Sequence, residues 1–356
     1  MKSTKKTVWV LKIITAVMIM LAIPGTGASA ECLRTSKEVR DPCVILVDDT
    51  YYMYGTGLAW PGYGCSTSTD LVNWSENKPV FLPSENFDGD GDFWAPECHY
   101  YNGSYYLFAS WHSKVTGYRG VGIFRSASPA GPFELISDGH ITPKTHDAID
   151  GTLYIDKNGE PWMMYVNEWT SNADGIGDMA IAKMSADLTH FVTEPKIIFR
   201  AKDAAWSESG VTDGPWLYRT SNGRLIMLWS SFTDKGYVVG IAYSSNGEIT
   251  GKWRQQRTLL YESGMGGSKE DGGHGMLFTD KNGQLTLSIH SPNGSREDCH
   301  TTAIFLPVTD IGDTLVLKDG TSGIRILALK LRYALADVFE PLIDKLAAFF
   351  RIGTVC

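Results

Sequence analysis

Apolar and polar positions alternate in short bursts along most of this chain, and the bursts come in pairs. "DPCVILVDDTYYMYG" from Asp41, "PECHYYNGSYYLFAS" from Pro96, "DGTLYIDKNGEPWMMY" from Asp150, "DGPWLYRTSNGRLIMLWSSF" from Asp213 and "HGMLFTDKNGQLTLSIH" from His274 share one pattern. A polar head precedes a short apolar strand, a turn rich in Asp, Asn and Gly, and an aromatic or aliphatic return strand. That pattern predicts a β-hairpin. A fainter repeat follows, as in "GIFRSASPAGPF" (Gly122–Phe133), "AIAKMSADLTHF" (Ala180–Phe191) and "GIAYSSNGEITGKW" (Gly240–Trp253), with "GCSTSTDLVNW" (Gly64–Trp74) a diverged copy. It adds two strands per unit. Five units of four strands predict an all-β, five-bladed β-propeller, in which radial repetition protects the sheet edges. A β-sandwich is the alternative, but it does not call for five equivalent units.

The pattern breaks at both ends. "MKSTKK", the apolar stretch "VWVLKIITAVMIMLAI" and the small residues of "PGTGASA" read as a signal peptide over residues 1–30, cut near Ala30. The product is expected to be exported, periplasmic or extracellular, with no transmembrane span in the mature protein. Cys32 lies one place too late for lipid attachment at the cut. Residues 31–320 form the expected propeller domain. Residues 321–356, including "GIRILALKLRYALADVFEPLIDKLAAFF", are rich in Leu and Ala and read as a short helical tail interrupted at Pro341. That tail is too charged and broken to span a membrane, and docking on its own domain is its expected role.

Charge narrows the partners. Removing the four lysines of the signal moves the formal net charge from −8 to −12. An acidic chain is a poor match for nucleic acid, whose phosphates call for Lys and Arg; a neutral carbohydrate fits better. The six cysteines all follow the signal and form no CxxC pair. Neither a zinc site nor a dense disulfide framework is indicated, and Cys43 and Cys98 read as packed strand residues. Oligomeric state is not written in the sequence.

In a propeller the first strand of each blade lines the axis, so the five hairpin heads meet at one end of a central channel. Those heads are Asp41, Glu97, Asp150, Asp213 and His274. Four carboxylates and an imidazole face one cavity, and the like charges raise one another's pKa values, a cost that turn formation alone would not incur. With no Ser or Cys nucleophile motif, this set suits glycosidic bond cleavage, where one carboxyl protonates the leaving oxygen and another acts on water or on the sugar. Trp94, Trp111, Trp169 and Trp206 flank the heads or return strands, and flat indole faces suit sugar rings. Trp94, Glu97, Trp111 and Trp169 are the expected substrate contacts.

"VRDPCVILVDDTYYMYGTG", "DFWAPECHYYNGSYYLFAS", "AIDGTLYID", "VTDGPWLY" and "GGHGMLF" resemble glycoside hydrolase family 43, in that family's order and over nearly all of the mature chain. The resemblance implies a five-bladed propeller, an inverting mechanism and activity on plant polysaccharides. An exo-acting α-L-arabinofuranosidase is the first expectation, with β-xylosidase and exo-galactosidase next. It implies Asp41 as general base, Asp150 as the carboxylate that tunes and orients the acid, and His274 beside a channel metal or water site. No cofactor is implied beyond a structural calcium in that channel. The family's acid is usually a Glu in an "EGP"-type motif; "TDGP" puts Asp213 there, on a side chain about 1.5 Å shorter. Glu168 in "YVNEWTS" is the rival by reach, and Glu208 in "WSESG" reads as a solvated loop acid. Two other classes remain as alternatives. A fructan-type furanosidase would retain anomeric configuration, and a non-catalytic sugar-binding propeller would release no sugar.

Overall fold

The computed structural model describes residues 32–294 and 300–318, together with Lys330. The expected signal peptide lies outside the described residues, as does the expected helical tail apart from Lys330, and so do Cys299 and Cys356.

Among the described residues the architecture is five antiparallel sheets, four of them four-stranded meanders taken in strict chain order. β1 (Leu33–Glu38) stands apart. The first blade is β2 (Arg40–Val47), β3 (Thr50–Thr56), β4 (Tyr63–Ser68) and β5 (Lys78–Phe81). The second is β6 (Gly89–Tyr101), β7 (Ser104–Ser113), β8 (Arg119–Ser126) and β9 (Glu134–Leu135). The third is β10 (Ala148–Ile155), β11 (Pro161–Asn167), β12 (Asp178–Lys183) and β13 (Lys196–Arg200), and the fourth β14 (Asp213–Arg219), β15 (Leu225–Thr233), β16 (Gly236–Ser244) and β17 (Trp253–Gln255). β18 (Gly273–Thr279), β19 (Leu285–Ser291) and β20 (Thr302–Asp310) make the fifth, with β21 (Leu315–Leu317) on part of the outer edge of β20. This is the expected five-bladed propeller.

One element departs from the repeat. The outer strand of the fifth blade is β1, from the other end of the chain, paired antiparallel with β20 through Leu33–Phe305 and Arg34–Ile304. First and last blades are thereby joined by backbone hydrogen bonds, which closes the ring and covers an edge of the kind that invites aggregation.

The core lies between blades rather than at the axis. Five apolar clusters each join one blade to the next. Leu107, Phe108 and Trp111 of β7 and Ile226, Leu228 and Trp229 of β15 are all fully buried. Second strands are packed on both faces, which explains why they read as continuous apolar runs rather than alternating ones. Trp111 shows how close the fit is. A Cβ placed on Gly122 of the neighbouring strand would lie 2.2 Å from its ring, so only glycine admits the indole. Cys43, Cys65 and Cys98 are buried free thiols in these layers.

Candidate active site

In every blade the innermost hairpin carries a one-residue bulge near its channel mouth. The residue opening each bulge is Asp41, Ala95, Asp150, Gly214 or His274, and all five have positive φ, between 41° and 56°. Side chains rarely adopt this region, and such strain persists only where the surroundings fix it. Four of the five are fixed in one way. The bulge N–H donates to a side chain on the preceding blade: Ala95 to Thr56 Oγ1 (2.8 Å), Asp150 to Ser110 Oγ (3.1 Å), His274 to Ser230 Oγ (2.9 Å) and Asp41 to His290 Nδ1 (3.2 Å). The third blade offers Val166 at the corresponding place, which cannot accept a hydrogen bond. The Gly214 N–H therefore donates to Asp150 Oδ2 at 3.0 Å instead. That bond aims the Asp150 carboxylate across the channel.

This register corrects the repeat read from the sequence. Asp41, Asp150 and His274 are structurally equivalent, but Ala95 and Gly214 fill the places given to Glu97 and Asp213. Asp213 precedes its bulge and lines the pocket wall, as Arg40, Trp94 and Ile149 do in their blades. Glu97 lies two residues beyond its bulge, is fully buried and does not border the pocket.

The pocket, about 560 Å³, is walled by Asp41, Asp150, Asp213, Glu168, His274, Trp94 and Trp169, with Thr56, Tyr237, Arg40 and Asn293 among their neighbours. Two of the four candidate tryptophans thus reach it. Trp111 has no exposed surface and spends its ring nitrogen on Asp88 Oδ1 at 2.8 Å, so it has no face to give a sugar. Trp206 packs against Trp229 at 4.6 Å and belongs to the core between the third and fourth blades. Glu208 is exposed and outside the pocket wall.

The carboxylates have been driven apart electrostatically. Burial pushes Asp41 up, but the imidazoles of His274 and His290 and the Arg40 guanidinium outweigh it and hold the group well below the carboxylate range. His274 and His290 each place Nδ1 3.2 Å from Asp41 Oδ1, and Thr56 donates its hydroxyl to Oδ2 at 2.6 Å. Burial raises Asp213 to about 8, and the charge of Asp150 adds to it, while His274 and the Tyr237 hydroxyl pull the other way. Tyr237 donates to Asp213 Oδ2 at 2.8 Å. Asp150 also lies well above its usual range, through burial and the nearby Asp41, Glu97 and Glu168 carboxylates, against the Gly214 hydrogen bond. One carboxylate that stays charged and one carboxylic acid that stays protonated at neutral pH therefore face the same cavity.

Glu168 is placed differently. Burial pushes it upward, but Arg119 Nε donates to Oε2 at 2.7 Å and opposes the shift. The same guanidinium meets Asp92 at 3.1 Å and Asp147 at 3.3 Å and lies over the Trp94 ring at 5.3 Å. Burial still prevails, and Glu168 lies above its usual value, but the arginine pairing limits the rise. Beneath the pocket, Glu97 is raised to about 8 by burial and His99 lowered to about 3 by the same cause. Their 3.1 Å contact is therefore a neutral hydrogen bond rather than an ion pair. His274 Nε2 is buried without a protein partner. A single imidazole nitrogen does not make a cation site, and no group of three or more His, Cys, Asp or Glu side chains suited to a metal occurs among the described residues.

A family model for the glycosyl hydrolases family 43 matches residues 35–308, from within β1 to within β20. The chain belongs to that family. Among its relatives, an extracellular exo-α-(1→5)-L-arabinofuranosidase of Cellvibrio japonicus is 28% identical over 176 residues, 46% of this chain and 48% of that enzyme. An extracellular endo-α-(1→5)-L-arabinanase of Bacillus subtilis is 26% identical over 241 residues, 64% of this chain and 69% of that one. The chain thus spans about half the length of the first relative. The crystal structure of an endo-arabinase from Bacteroides thetaiotaomicron superposes with a TM-score of 0.69 at 33% identity, covering 80% of this chain and 98% of the other.

Sequence reasoning passed over several residues that shape the site. Thr56, Tyr237 and His290 sit on second or third strands and are recognisable only through the blade that packs beside them. Arg119 was equally hidden, since its partners are scattered from Asp92 to Glu168.

Proposed function

We propose that this glycoside hydrolase is exported and cleaves α-L-arabinofuranosyl linkages of arabinan with inversion. The observation that carries the mechanism is the opposed protonation of Asp41 and Asp213 across one pocket. Asp41, held ionised by the His274 imidazole, the Arg40 guanidinium and the Thr56 hydroxyl, takes a proton from water as that water attacks the anomeric carbon. Asp213, protonated at neutral pH, gives its proton to the departing glycosidic oxygen. Tyr237 occupies one oxygen of Asp213 and leaves the other for that transfer. Asp150, steered by the Gly214 N–H, lies close enough that it and Asp213 disfavour each other's ionisation, which keeps the proton on the donor. Trp94 and Trp169 supply the pocket's aromatic faces for the sugar. The chemistry needs no cofactor, and no step runs through a metal.

Glu168 is the weaker candidate for proton donor because Arg119 Nε engages its Oε2 at 2.7 Å and opposes the rise that burial causes. The relatives support arabinan as substrate. The endo-arabinase likeness, which covers most of both chains, favours cleavage within the polymer over the exo action expected from the sequence. Incubation with linear arabinan, beside xylan and galactan, tests this. A ladder of arabino-oligosaccharides at early times supports internal cleavage, and arabinose alone supports exo action. Release of sugar only from xylan or galactan, or from none of the three, overturns the reading.

A further inference from the structure

Trp60 is the most exposed tryptophan among the described residues: 71% of its surface is open. It lies in the connection from β3 to β4. β2 starts at the pocket with Arg40 and Asp41, so β3 returns to the pocket end, where Thr56 joins the wall. Trp60 follows only four residues later, on the same face of the propeller.

Its ring contact ties it to the residue that precedes a member of the pocket wall. The Trp60 indole meets the edge of Phe93 at 5.8 Å, and Phe93 immediately precedes Trp94 of the pocket wall. Phe93 is itself buried among Tyr63 and Phe87. The exposed ring therefore rests on a rigid aromatic base rather than on a free loop. Leu82, 58% exposed, follows β5, whose return also ends at this face. A Cβ on Gly62 would lie 2.2 Å from the Phe81 carbonyl and 3.2 Å from Pro83 Cδ, so the two connections are packed against each other.

An open indole on a buried support, at the same end of the propeller as the sugar-cleaving pocket, serves no core and offers a flat apolar face to solvent. We infer that Trp60 is a distal subsite, a stacking platform for a glycosyl unit of the arabinan chain that extends past the catalytic pocket over the first blade. Polymer length is then what the residue recognises. A substrate short enough to end inside the pocket never reaches it.

The inference rests on the proposed substrate, and the test separates the two. kcat/KM is measured on arabinotriose and on linear arabinan for the wild type, Trp60→Ala and Trp60→Tyr. Binding of arabinan is measured by affinity electrophoresis with Asp41→Asn and with Asp41→Asn/Trp60→Ala. Loss of a well-placed Trp anchor is expected to lower kcat/KM on arabinan about tenfold, mostly through KM. Arabinotriose turnover should not change, Trp60→Tyr should restore most of the loss, and the double variant should migrate through arabinan more freely. Equal losses on both substrates, or none on either, overturn the subsite. A wild type that ignores arabinan but cleaves another polymer overturns the substrate instead. The same comparison on that polymer and its trisaccharide then decides Trp60, with a polymer-only loss supporting the platform.

Discussion

Replacing Tyr237 with phenylalanine removes a single hydroxyl group and isolates the assignment of the acid. The ring keeps its neighbours, His290 at 5.5 Å and Phe232 at 4.9 Å, so the pocket wall stays in place. What disappears is the 2.8 Å hydrogen bond to Asp213 Oδ2. Burial and the adjacent acids keep the phenol protonated well beyond the working range, so its O–H is available to donate to the Asp213 carboxylate. Such a donor stabilises the ionised form of Asp213, and its loss must raise the pKa. A hydrogen bond to a charged group contributes roughly 1.5–3 kcal/mol, equivalent to about 1–2 pH units. The alkaline limb of kcat/KM against pH, set by Asp213 at about 8 in the wild type, should move to about 9–10 in the variant. Taking about 9.5 for the variant, roughly a tenth of the wild type but roughly three quarters of the variant carries the catalytic proton at pH 9. At pH 6 both are protonated and the two enzymes should differ little. The assay is initial-rate hydrolysis of soluble arabino-oligosaccharides from pH 4 to 10, with thermal melts confirming that both proteins stay folded. An alkaline limb that stays near 8, or moves down, would refute Asp213 as the group that sets it.

Asp213→Asn should slow cleavage of natural arabinosides by about 10²–10⁴-fold while sparing substrates with good leaving groups, whose departure needs no proton. Glu168→Gln should not show that leaving-group dependence, and if it does while Asp213→Asn does not, Glu168 is the donor. Glu97 has a folded-state pKa raised from 4.5 to about 8. Its contribution to stability is complete below about pH 4.5 and is lost as pH rises through 8. Glu97→Gln keeps a donor toward His99 and removes the ionisation, so its melting temperature should gain on the wild type by a few degrees as pH rises from about 5 to 9; a constant gap would show that Glu97 does not hold its proton on folding.

The hairpin pattern was legible in the sequence because period-two alternation and Asp-Asn-Gly turns are local. Asp41, Asp150 and His274 were legible for the same reason, each heading a hairpin. The exact register was not. Aligning heads by chemistry placed Glu97 and Asp213 in the ring, whereas the backbone places Ala95 and Gly214 there. A sequence signal existed: each of the five bulge residues is followed by Pro or Gly, as in Asp41-Pro42, Ala95-Pro96, Asp150-Gly151, Gly214-Pro215 and His274-Gly275. Ring closure by β1 was invisible because "LRTSKE" has little apolar alternation and its partner lies at the far end of the chain. Trp111 and Trp94 could not be told apart either. What buries Trp111 is the missing side chain of Gly122 on the next strand, a fact of packing rather than of its own neighbourhood.

The most direct measurement is the anomeric configuration of the first sugar released, followed by proton NMR during the first minutes of arabinan hydrolysis. Attack by a water that Asp41 activates, opposite a leaving group protonated by Asp213, predicts that the new reducing end appears first as the β-anomer and reaches the α/β equilibrium only through mutarotation. Early accumulation of the α-anomer would mean retention through a covalent intermediate and would contradict the roles given to both aspartates.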